Sequence, residues 1–337
     1  MRGVSLDEKK STRIDAGQLR LIIRAARLHH VQNYTQNEIA QTLGISQTGV
    51  SRLLRLAEES GYVKKTVIIP DGLFPELEEN LMSRFNLTSA YIIDVNFSEE
   101  TISQQLGAAA ARLLRNEIKD ARILGFTSWS STLREMAHQI GQIPDSTVEI
   151  VAETLGDLGS PRLQHEADVA TLKIAEVLGA EPAFLRAPGV FASSDIRKAA
   201  EQDINIKATQ KYLDNADVVL IGLGPADFHG TLEKNDNFFS DEQLASVRRS
   251  GAIGQLHQRF INSKGKPVAS HLNDLVIGIT LPQVRKARKK IVVAGGEGKH
   301  AAMYAALEGN WIDVLVTDFK SASLLLDKKI KDMAENE

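Results

Sequence analysis

The sequence predicts an α/β protein in two parts, an N-terminal winged helix-turn-helix domain followed by a larger, Rossmann-like α/β domain. Its 337 residues suffice for two domains, since about 150 residues per domain is usual. Two helical patterns joined by a tight turn fill residues 35–59, which is the spacing of a helix-turn-helix. Beyond residue 90, short apolar runs alternate with amphipathic helical patterns, as in a mostly parallel sheet covered by helices.

Composition excludes several kinds of site. The chain has no cysteine, which rules out a disulfide scaffold, a thiolate zinc site, an iron–sulfur cluster and a cysteine nucleophile. Its 8 histidines form no HExxH pair, so we expect no metal site, and nothing indicates a cofactor. No apolar run approaches the roughly 18–20 residues that span a bilayer, and the N-terminus lacks the apolar segment of a signal peptide. We therefore expect a cytoplasmic protein without membrane contact.

Charge is distributed unevenly along the chain. The net charge is −3, yet residues 1–65 carry 11 Lys and Arg against 6 Asp and Glu, a net +5, so the remainder carries −8. A basic N-terminal part on an acidic body predicts that only the first domain meets a polyanion. Residues 1–14 are polar and aperiodic and are predicted to be a disordered arm, followed by the helix-turn-helix domain over residues 15–70.

Capping residues mark the two helices of the pair. Thr35 and Glu38 form a capping box at the start of a short helix, and Gly44 suits its left-handed end. Ser46 is the next N-cap. The helix behind it has an apolar face at helical spacing, formed by Val50, Leu53, Leu54 and Ala57. Residues 62–69 are then predicted to form a short β segment, the wing.

The polar face of the second helix has the composition of a DNA-reading surface. Short hydrogen-bonding side chains and arginines remain there for base edges and phosphates: Gln47, Thr48, Ser51, Arg52 and Arg55. Ser46 starts this helix, while Thr35 and Gln36 start the preceding one, where side chains and free N–H groups hold a phosphate. The alternative is an ordinary helical hairpin with a solvated polar face. The net +5 and the predicted wing favour DNA binding.

The pattern changes after the turn signal at residues 70–72. We place a linker helix over residues 71–90 and the second domain over residues 91–330. The predicted strands of this domain are residues 90–95, 122–125, 148–152, 218–221, 276–279, 291–294 and 314–317. A ligand of such a sheet is expected at the carboxyl ends of the strands, at a topological switch point.

Two loops that follow predicted strands suit a phosphate. One contains Gly295, Gly296, Gly298 and Lys299, so backbone N–H groups, a helix N-terminus and a full positive charge converge there. It is not a Walker A loop, because His300 stands where that motif has Ser or Thr.

The other loop brings five hydroxyl residues to one helix N-terminus: Thr127, Ser128, Ser130, Ser131 and Thr132. A third segment, residues 222–224, lacks the last glycine of GxGxxG. Each of these could be a tight βα turn and no more. Two phosphate-type loops in one sheet favour a phosphorylated ligand.

Motifs in a characteristic order run through the chain. In the first domain they are residues 34–40, 50–54 and 61–63. In the second domain they are residues 131–133, 222–224, 251–254, 294–299 and 317–318. With these motifs the chain resembles the SorC family of sugar-responsive bacterial transcription regulators, from about residue 19 to about residue 326.

The resemblance implies an effector and oligomerisation domain folded like ribose-5-phosphate isomerase and glucosamine-6-phosphate deaminase, with a phosphorylated sugar or sugar alcohol as effector. It also implies a homotetramer on operator DNA, whose DNA affinity the sugar phosphate changes. Ser131 and Thr132 match the family's phosphate-contacting hydroxyl pair, and Lys299 matches its ligand lysine.

This sequence departs from the family at several positions. Gln255 stands where an acidic residue is common and Asn262 where an aspartate is common, which affects the contacts to sugar hydroxyls. Ser46-Gln47 replaces the more usual Ser-Arg, which affects the operator sequence. Glu166 and Asp168 lie where relatives tend to carry amides, and Glu166 is a further candidate for effector binding.

The leading hypothesis is a transcriptional regulator of a carbohydrate-utilisation operon, and the alternative is a sugar-phosphate isomerase or deaminase with a helical appendage. Such enzymes need a positioned base. Gln255 and Asn262 occupy the positions of the expected carboxylates, and amides cannot abstract protons. A structural scaffold would give no reason for the phosphate loops. The sequence therefore favours a regulator that is not an enzyme.

Overall fold

The computed structural model describes residues 15–65, 69–95, 99–226, 238–327 and 330. The chain divides into two compact units, Met1–Ile69 and Pro70–Glu337. The predicted disordered arm lies outside the described residues. In the part of the chain that is described, no helix is both long and apolar enough to cross a bilayer.

Within its described residues, 15–65 and 69, the first unit contains three helices: α1 (Ala16–His30), α2 (Gln36–Leu43) and α3 (Gln47–Glu59). The predicted helix pair is confirmed as α2 and α3. Their apolar faces pack against α1 in one core, which contains Ile22, Ala25, Ala26, Ile39, Val50, Leu53, Leu54 and Ala57. Gly44 ends α2 in the left-handed conformation at φ 65°, which a glycine adopts without a steric penalty. Because of the sharp turn that follows, only three residues separate the end of α2 from the start of α3.

The predicted wing is wrong for the residues that can be checked. Residues 62–65 and 69 form no strand, and residues 66–68 lie outside the described part of the chain. The reason is local. The N–H groups of Tyr62 and Val63 both donate to the Ala57 carbonyl, so they close the end of α3, and Lys65 pairs with Glu58 at 2.6 Å. These contacts turn the chain back on the helix where a strand would need extended backbone.

The second unit is built on ten described strands: β1 (Ser89–Ile93), β2 (Ile123–Phe126), β3 (Ile150–Glu153), β4 (Glu181–Ala183), β5 (Val218–Ile221), β6 (Leu223–Pro225), β7 (Gly254–Leu256), β8 (Arg259–Ile261), β9 (Lys289–Val293) and β10 (Val314–Asp318). Seven of them form a parallel sheet in the order β1-β10-β9-β5-β2-β3-β4. The short strands β6, β7 and β8 form a separate antiparallel sheet.

Six of the seven predicted strands lie in the parallel sheet, and residues 276–279 do not. Val276 and Gly278 make only isolated bridges, to Val190 and Leu155. This apolar run is buried against loops, and an apolar run of four residues predicts burial without fixing strand pairing.

Helices cover both faces of the parallel sheet. The described α-helices of this unit are α4 (Pro75–Phe85), α5 (Glu99–Glu117), α6 (Ser131–Gln139), α7 (Pro161–Leu178), α8 (Ser194–Ala200), α9 (Ile204–Leu213), α10 (Asp241–Arg249), α11 (Leu281–Lys286), α12 (His300–Glu308) and α13 (Phe319–Leu326). Of these, α8 packs on the 3-10 turn His271–Leu275 and α10 joins a separate core around β8. Strand β5 shows why two layers form: Val219 and Ile221 enter one core cluster, while Val218 and Leu220 enter the other. The predicted linker helix corresponds to α4, which packs on β1 and α13 within the second unit.

The sheet order reverses between β2 and β5. From β2 the chain continues outward to β3 and β4, whereas from β5 it continues to β9 and β10 on the other side. Open α/β sheets bind ligands at the carboxyl ends of the strands at such a switch point.

Candidate functional site

The N-terminus of α2 is fixed by a complete capping box. Thr35 N–H and Oγ1 donate to Glu38 Oε2 at 2.7 and 2.8 Å, and Glu38 N–H donates to Thr35 Oγ1 at 3.4 Å. The backbone hydrogen bond from Thr35 lowers the pKa of Glu38. Gln36 is the first residue of the helix and is half-buried. The residues predicted to contact a phosphate therefore lie at an ordered helix start.

The residues predicted to read DNA share one exposed face of α3. Ser46 Oγ accepts from Gly49 N–H at 3.1 Å and lies 3.0 Å from Thr48 Oγ1. The other predicted residues, all exposed, are Gln47, Ser51, Arg52 and Arg55. Arg55 also pairs with Glu59 at 3.4 Å, in a pair that is more than half exposed and therefore weak. The opposite face holds the core, so α3 is amphipathic in the way a groove-reading helix requires.

In the second unit, the three segments singled out in the sequence follow three neighbouring strands. Residues 295–299 follow β9, residues 222–224 follow β5 and residues 127–132 follow β2, and these strands are adjacent in the order β9-β5-β2. All three strands are parallel, so the segments meet at one edge of the sheet, next to the switch point. Two strand spacings of about 4.8 Å separate the outer two strands by about 10 Å.

An internal carboxylate holds the loop after β9. Gly296 N–H donates to Asp318 Oδ2 at 3.0 Å, and Ser321 Oγ donates to the same oxygen at 2.6 Å. A Cβ on Gly295 would lie 2.2 Å from that carboxylate, so only glycine fits there. His300, whose pKa burial lowers, places Nε2 2.9 Å from Ser321 Oγ. One amide of the predicted phosphate cradle is thus already bonded within the protein.

This loop remains accessible beyond that contact. Gly298 is exposed, and a Cβ there would meet no atom within 4 Å. Lys299 is half-buried at the end of the 3-10 turn Glu297–Lys299, directly before α12. Strand β6 packs against this turn, which joins the loop to the segment after β5.

The hydroxyl pair at the start of α6 divides into two environments. Ser131 is exposed, whereas Thr132 is buried and its Oγ1 donates to Ser103 Oγ on α5 at 3.4 Å. Ser130 caps the helix by accepting from Leu133 N–H at 3.4 Å. Of the pair, Ser131 alone is open to solvent.

Glu166 is linked to the loop after β2 through the side chain of Arg134. On α7 it lies 4.0 Å from Arg134, whose guanidinium donates to the Ser128 carbonyl at 3.2 Å. Burial lowers the pKa of Arg134. Glu166 is thus a neighbour of the loop after β2, one side chain removed from it.

The structure separates Gln255 and Asn262. Gln255 is buried in β7, beside Gly224 of β6, and its Oε1 accepts from Gln258 N–H at 2.8 Å. Asn262 instead closes a turn: its Oδ1 accepts from the N–H groups of Lys264 and Lys266, each at 3.0 Å.

That turn lies away from the predicted phosphate loop. A Cβ on Gly265, within the turn, would lie 2.3 Å from the Ala305 carbonyl near the end of α12, whereas Lys299 precedes the start of that helix. Asn262 is therefore not brought together with Lys299.

Sequence reasoning missed two buried groups at this edge of the sheet, Glu153 and His257. Glu153 ends β3 with 2% exposure, and burial raises its pKa to about 7. His257 lies in the turn between β7 and β8 and contacts Thr127. Neither stands in a recognisable motif, because their partners lie far away in sequence. Only the strand order could have indicated them.

Comparison with known proteins decides the family. The Sugar-bind family model, a sugar-binding domain, matches residues 74–327, and the MarR family model matches residues 12–72. The chain belongs to the SorC/DeoR-type family of sugar-binding transcriptional regulators. The predicted family and the α/β fold class with an N-terminal helix-turn-helix are both confirmed.

Full-length regulators of this family match nearly the whole chain. The deoxyribonucleoside regulator of Bacillus subtilis (strain 168) is 29% identical over 315 residues, which is 93% of this chain and 99% of that protein. The sorbitol operon regulator of Klebsiella pneumoniae is 28% identical over 321 residues, with coverage of 93% and 99%. The crystal structure of full-length SorC from Klebsiella pneumoniae has a TM-score of 0.70 and 29% identity, over 92% of this chain and 99% of that one.

The matched relatives are transcriptional regulators, so this member of the SorC/DeoR-type family is a regulator and not an enzyme. The alternative of an isomerase or deaminase is set aside. Its DNA-binding part is the helix-turn-helix unit and its sugar-binding part is the α/β unit.

Proposed function

We propose that this regulator binds operator DNA through α3 and that a phosphorylated sugar or sugar alcohol, bound at the carboxyl edge of the parallel sheet, changes its operator affinity. One observation carries the proposal. Both loops that the sequence indicates for phosphate binding follow strands on either side of β5, at the switch point of the sheet. The relatives named for deoxyribonucleosides and for sorbitol support a carbohydrate effector.

In this proposal the DNA contacts divide by chemistry. Gln47, Thr48 and Ser51 meet base edges in the major groove, and the arginines of α3 supply charge at bases and phosphates. The start of α2, at Thr35 and Gln36, and Ser46 hold the phosphate backbone.

The effector lies across three strand ends. Its phosphate is held by Lys299 with the glycine-rich loop, and Ser131 supplies a hydroxyl from the other side. The distance of about 10 Å between β9 and β2 is comparable to the length of a small sugar phosphate. Glu166 supports the loop after β2 through Arg134, whereas Asn262, which closes a turn near the end of α12, takes no part in this site.

In this proposal, effector binding and operator binding are thermodynamically linked. The effector changes operator affinity only by its preference for one of the two states of the protein. A preference of ~100-fold for the DNA-free state would weaken operator binding by about 2.7 kcal/mol. The homotetramer implied by the family resemblance stays a prediction, which light scattering coupled to size-exclusion chromatography checks.

Fluorescence anisotropy tests the proposal directly. A labelled duplex from the promoter of the protein's own gene is titrated at two salt concentrations, with and without each of a panel of sugars. The panel contains ribose 5-phosphate, 2-deoxyribose 5-phosphate, glucose 6-phosphate, fructose 6-phosphate and sorbitol 6-phosphate, and the unphosphorylated form of each. Salt-sensitive binding that one phosphorylated compound alters, and its free form does not, is expected. Operator binding that no compound changes contradicts the effector proposal and leaves DNA binding intact.

Replacing Arg52 with glutamine is expected to weaken operator binding about ten-fold or more, since one lost bidentate base contact costs about 1–3 kcal/mol. Arg249→Gln, which removes the same charge from an exposed position on α10 of the second unit, is the matched control. Anisotropy on operator and scrambled duplexes gives the ratio of the two affinities. Equal losses in both variants would contradict a specific role for Arg52.

A further inference from the structure

A hairpin turn places His257 at the switch point of the sheet. Strands β7 and β8 pair Leu256 with Arg259, so His257 and Gln258 alone form the turn. Both have positive φ, 49° and 62°, the arrangement of a type I′ turn, in which Asn and Gly are strongly preferred. Here two larger side chains adopt it while buried, at 2% and 8% exposure. Residues held in an unfavourable backbone conformation cluster at ligand sites.

Contacts with β2 and β5 fix the histidine in place. His257 N–H donates to the Gly222 carbonyl at 3.1 Å, and Nδ1 lies 3.1 Å from Thr127 Oγ1. A Cβ on Gly222 would lie 2.6 Å from the Thr127 side chain, so the close approach of these segments depends on that glycine. The ring is thus anchored between the two strands at which the sheet order reverses.

The hydrogen bonds of Thr127 determine which ring nitrogen carries the proton. Thr127 Oγ1 lies 2.7 Å from the Leu220 carbonyl, which can only accept, so the single hydroxyl proton points there. Its other three neighbours, Gly222 N–H at 3.2 Å, Thr154 Oγ1 at 2.8 Å and His257 Nδ1 at 3.1 Å, then face Oγ1 as donors, and the Thr154 hydroxyl can also donate to the Phe126 carbonyl at 3.3 Å. A lone pair on Nδ1 would face the lone pairs of Oγ1, so we assign the ring proton to Nδ1. A neutral imidazole carries one proton, so Nε2 is left with a lone pair.

Burial and a neighbouring cation keep the ring neutral. Burial first, and then the positive charge of Arg259, lower the pKa of His257 to about 3. Nε2 is a buried acceptor that has no hydrogen-bond partner among the residues the structure describes. Buried polar atoms in proteins are almost always satisfied, by protein, by water or by a ligand. The partner of this one is not supplied by the described chain.

Since His257 is held against Gly222 after β5 and Thr127 after β2, at the carboxyl edge of the sheet, we infer that its Nε2 accepts a hydrogen bond from a hydroxyl group of the sugar effector. The inference deepens the proposed function and rests on it. A neutral acceptor suits a hydroxyl and repels a phosphate, so His257 reads the carbohydrate while Lys299 reads its phosphate. Gln255 supports this role by accepting from Gln258 N–H, which holds the turn closed.

Two substitutions separate this role from a structural one. His257→Asn keeps a polar group where Nδ1 lies and favours positive φ, but has no atom where Nε2 lies. His257→Gln is long enough to restore an acceptor there. Each protein is titrated, by isothermal calorimetry without DNA, with the panel compound that shifts operator binding. We expect His257→Asn to weaken its binding about ten-fold and His257→Gln to recover most of the loss.

Removing one hydroxyl group from the ligand tests the same hydrogen bond from the ligand's side. Ribose 5-phosphate and 2-deoxyribose 5-phosphate differ by one hydroxyl, and so do other deoxy pairs made from the active compound. His257→Asn should not weaken the binding of the analogue that lacks the contacted hydroxyl. Thermal unfolding followed by tryptophan fluorescence shows that each variant is folded.

The outcomes are distinct. If His257→Asn binds the active compound as tightly as the unaltered protein does, the role of His257 is overturned and the proposed function stands. If no panel compound binds the unaltered protein or alters its operator affinity, the proposed function fails and this inference with it. A long-range ¹H–¹⁵N spectrum of the ligand-free protein that shows His257 protonated at Nε2 would also overturn it.

Discussion

Replacing Glu153 with glutamine is expected to make the stability of the protein less dependent on pH. In the unaltered protein, Glu153 should lower the free energy of unfolding by about 2–3 kcal/mol between pH 5 and pH 8, and the variant should lack this decrease. Glu153 ends β3 in a buried position. Burial raises its pKa to about 7 from an ordinary value of 4.5, although Leu185 N–H, Thr171 and the charge of Arg186 act against that rise. This difference between the folded-state and unfolded-state pKa corresponds to a change of about 3 kcal/mol in the free energy of unfolding.

The sign follows from where the proton is bound. Between pH 4.5 and pH 7 the folded protein keeps the proton that the unfolded chain has released. The stabilisation is therefore complete below pH 4.5 and is lost as pH rises through about 7. His257, with its lowered pKa, has the opposite slope and loses stabilisation as pH falls. The difference between the variant and the unaltered protein isolates Glu153, because His257 is the same in both.

Glutamine suits this position because it imitates the protonated acid. Leu185 N–H donates to one carboxyl oxygen at 3.1 Å, and Thr171 Oγ1 lies 3.0 Å from the other. Thr171 can donate instead to the Ala167 carbonyl at 3.1 Å, which leaves it free to accept from a protonated Glu153 or from the glutamine amide.

Urea denaturation at pH 5, 6, 7 and 8 measures the effect. Trp129 and Trp311, the two tryptophans of the chain, both lie in the second unit, so their fluorescence reports its unfolding. Glu149→Gln, at the exposed ion pair with Arg122 just before the same strand, is the control and should change the free energy of unfolding by less than about 1 kcal/mol. A constant difference between Glu153→Gln and the unaltered protein at all four pH values would contradict the assignment.

Local sequence was sufficient for the helix pair and for most of the sheet. The capping box at Thr35, the left-handed stop at Gly44 and the N-cap at Ser46 each depend on contacts within four residues, so a pattern in the sequence identifies them. Five-residue apolar strands such as β10 are identified by burial on both faces. The loops after β9 and β2 were predicted for the same reason, since each follows directly from its strand.

What sequence could not supply was pairing between distant segments. Strands β6, β7 and β8 have three residues each, too few for a periodicity, and their register alone brings His257 to Thr127, 130 positions away. The hydrogen bond from Gly296 N–H to Asp318 is another contact between segments that are distant in sequence. Asn262 shows the converse: a residue selected by family resemblance forms a local turn, in a place where it does not join the other candidates.

Replacing Lys299 with glutamine is expected to raise the concentration of phosphorylated effector needed to shift operator binding by about 10- to 100-fold. Hydrogen bonds to charged groups contribute about 1.5–3 kcal/mol, and glutamine removes the charge while keeping a polar side chain. Lys299 stands directly before α12, and its loop is fixed from behind by Asp318. The variant keeps the contact from Gly296 N–H to Asp318 that fixes this loop.

The comparison that decides this is between phosphorylated and free sugar. In the unaltered protein only the phosphorylated compound should act, and in Lys299→Gln the two should become nearly equivalent, because the discrimination comes from the phosphate. Lys211→Gln, an equal loss of charge at the exposed end of α9, should leave both responses unchanged. Operator binding without sugar should be the same in all three proteins. If Lys299→Gln keeps the full preference for the phosphorylated compound, the phosphate is bound elsewhere, and the loop after β2, residues 127–132, becomes the site to test.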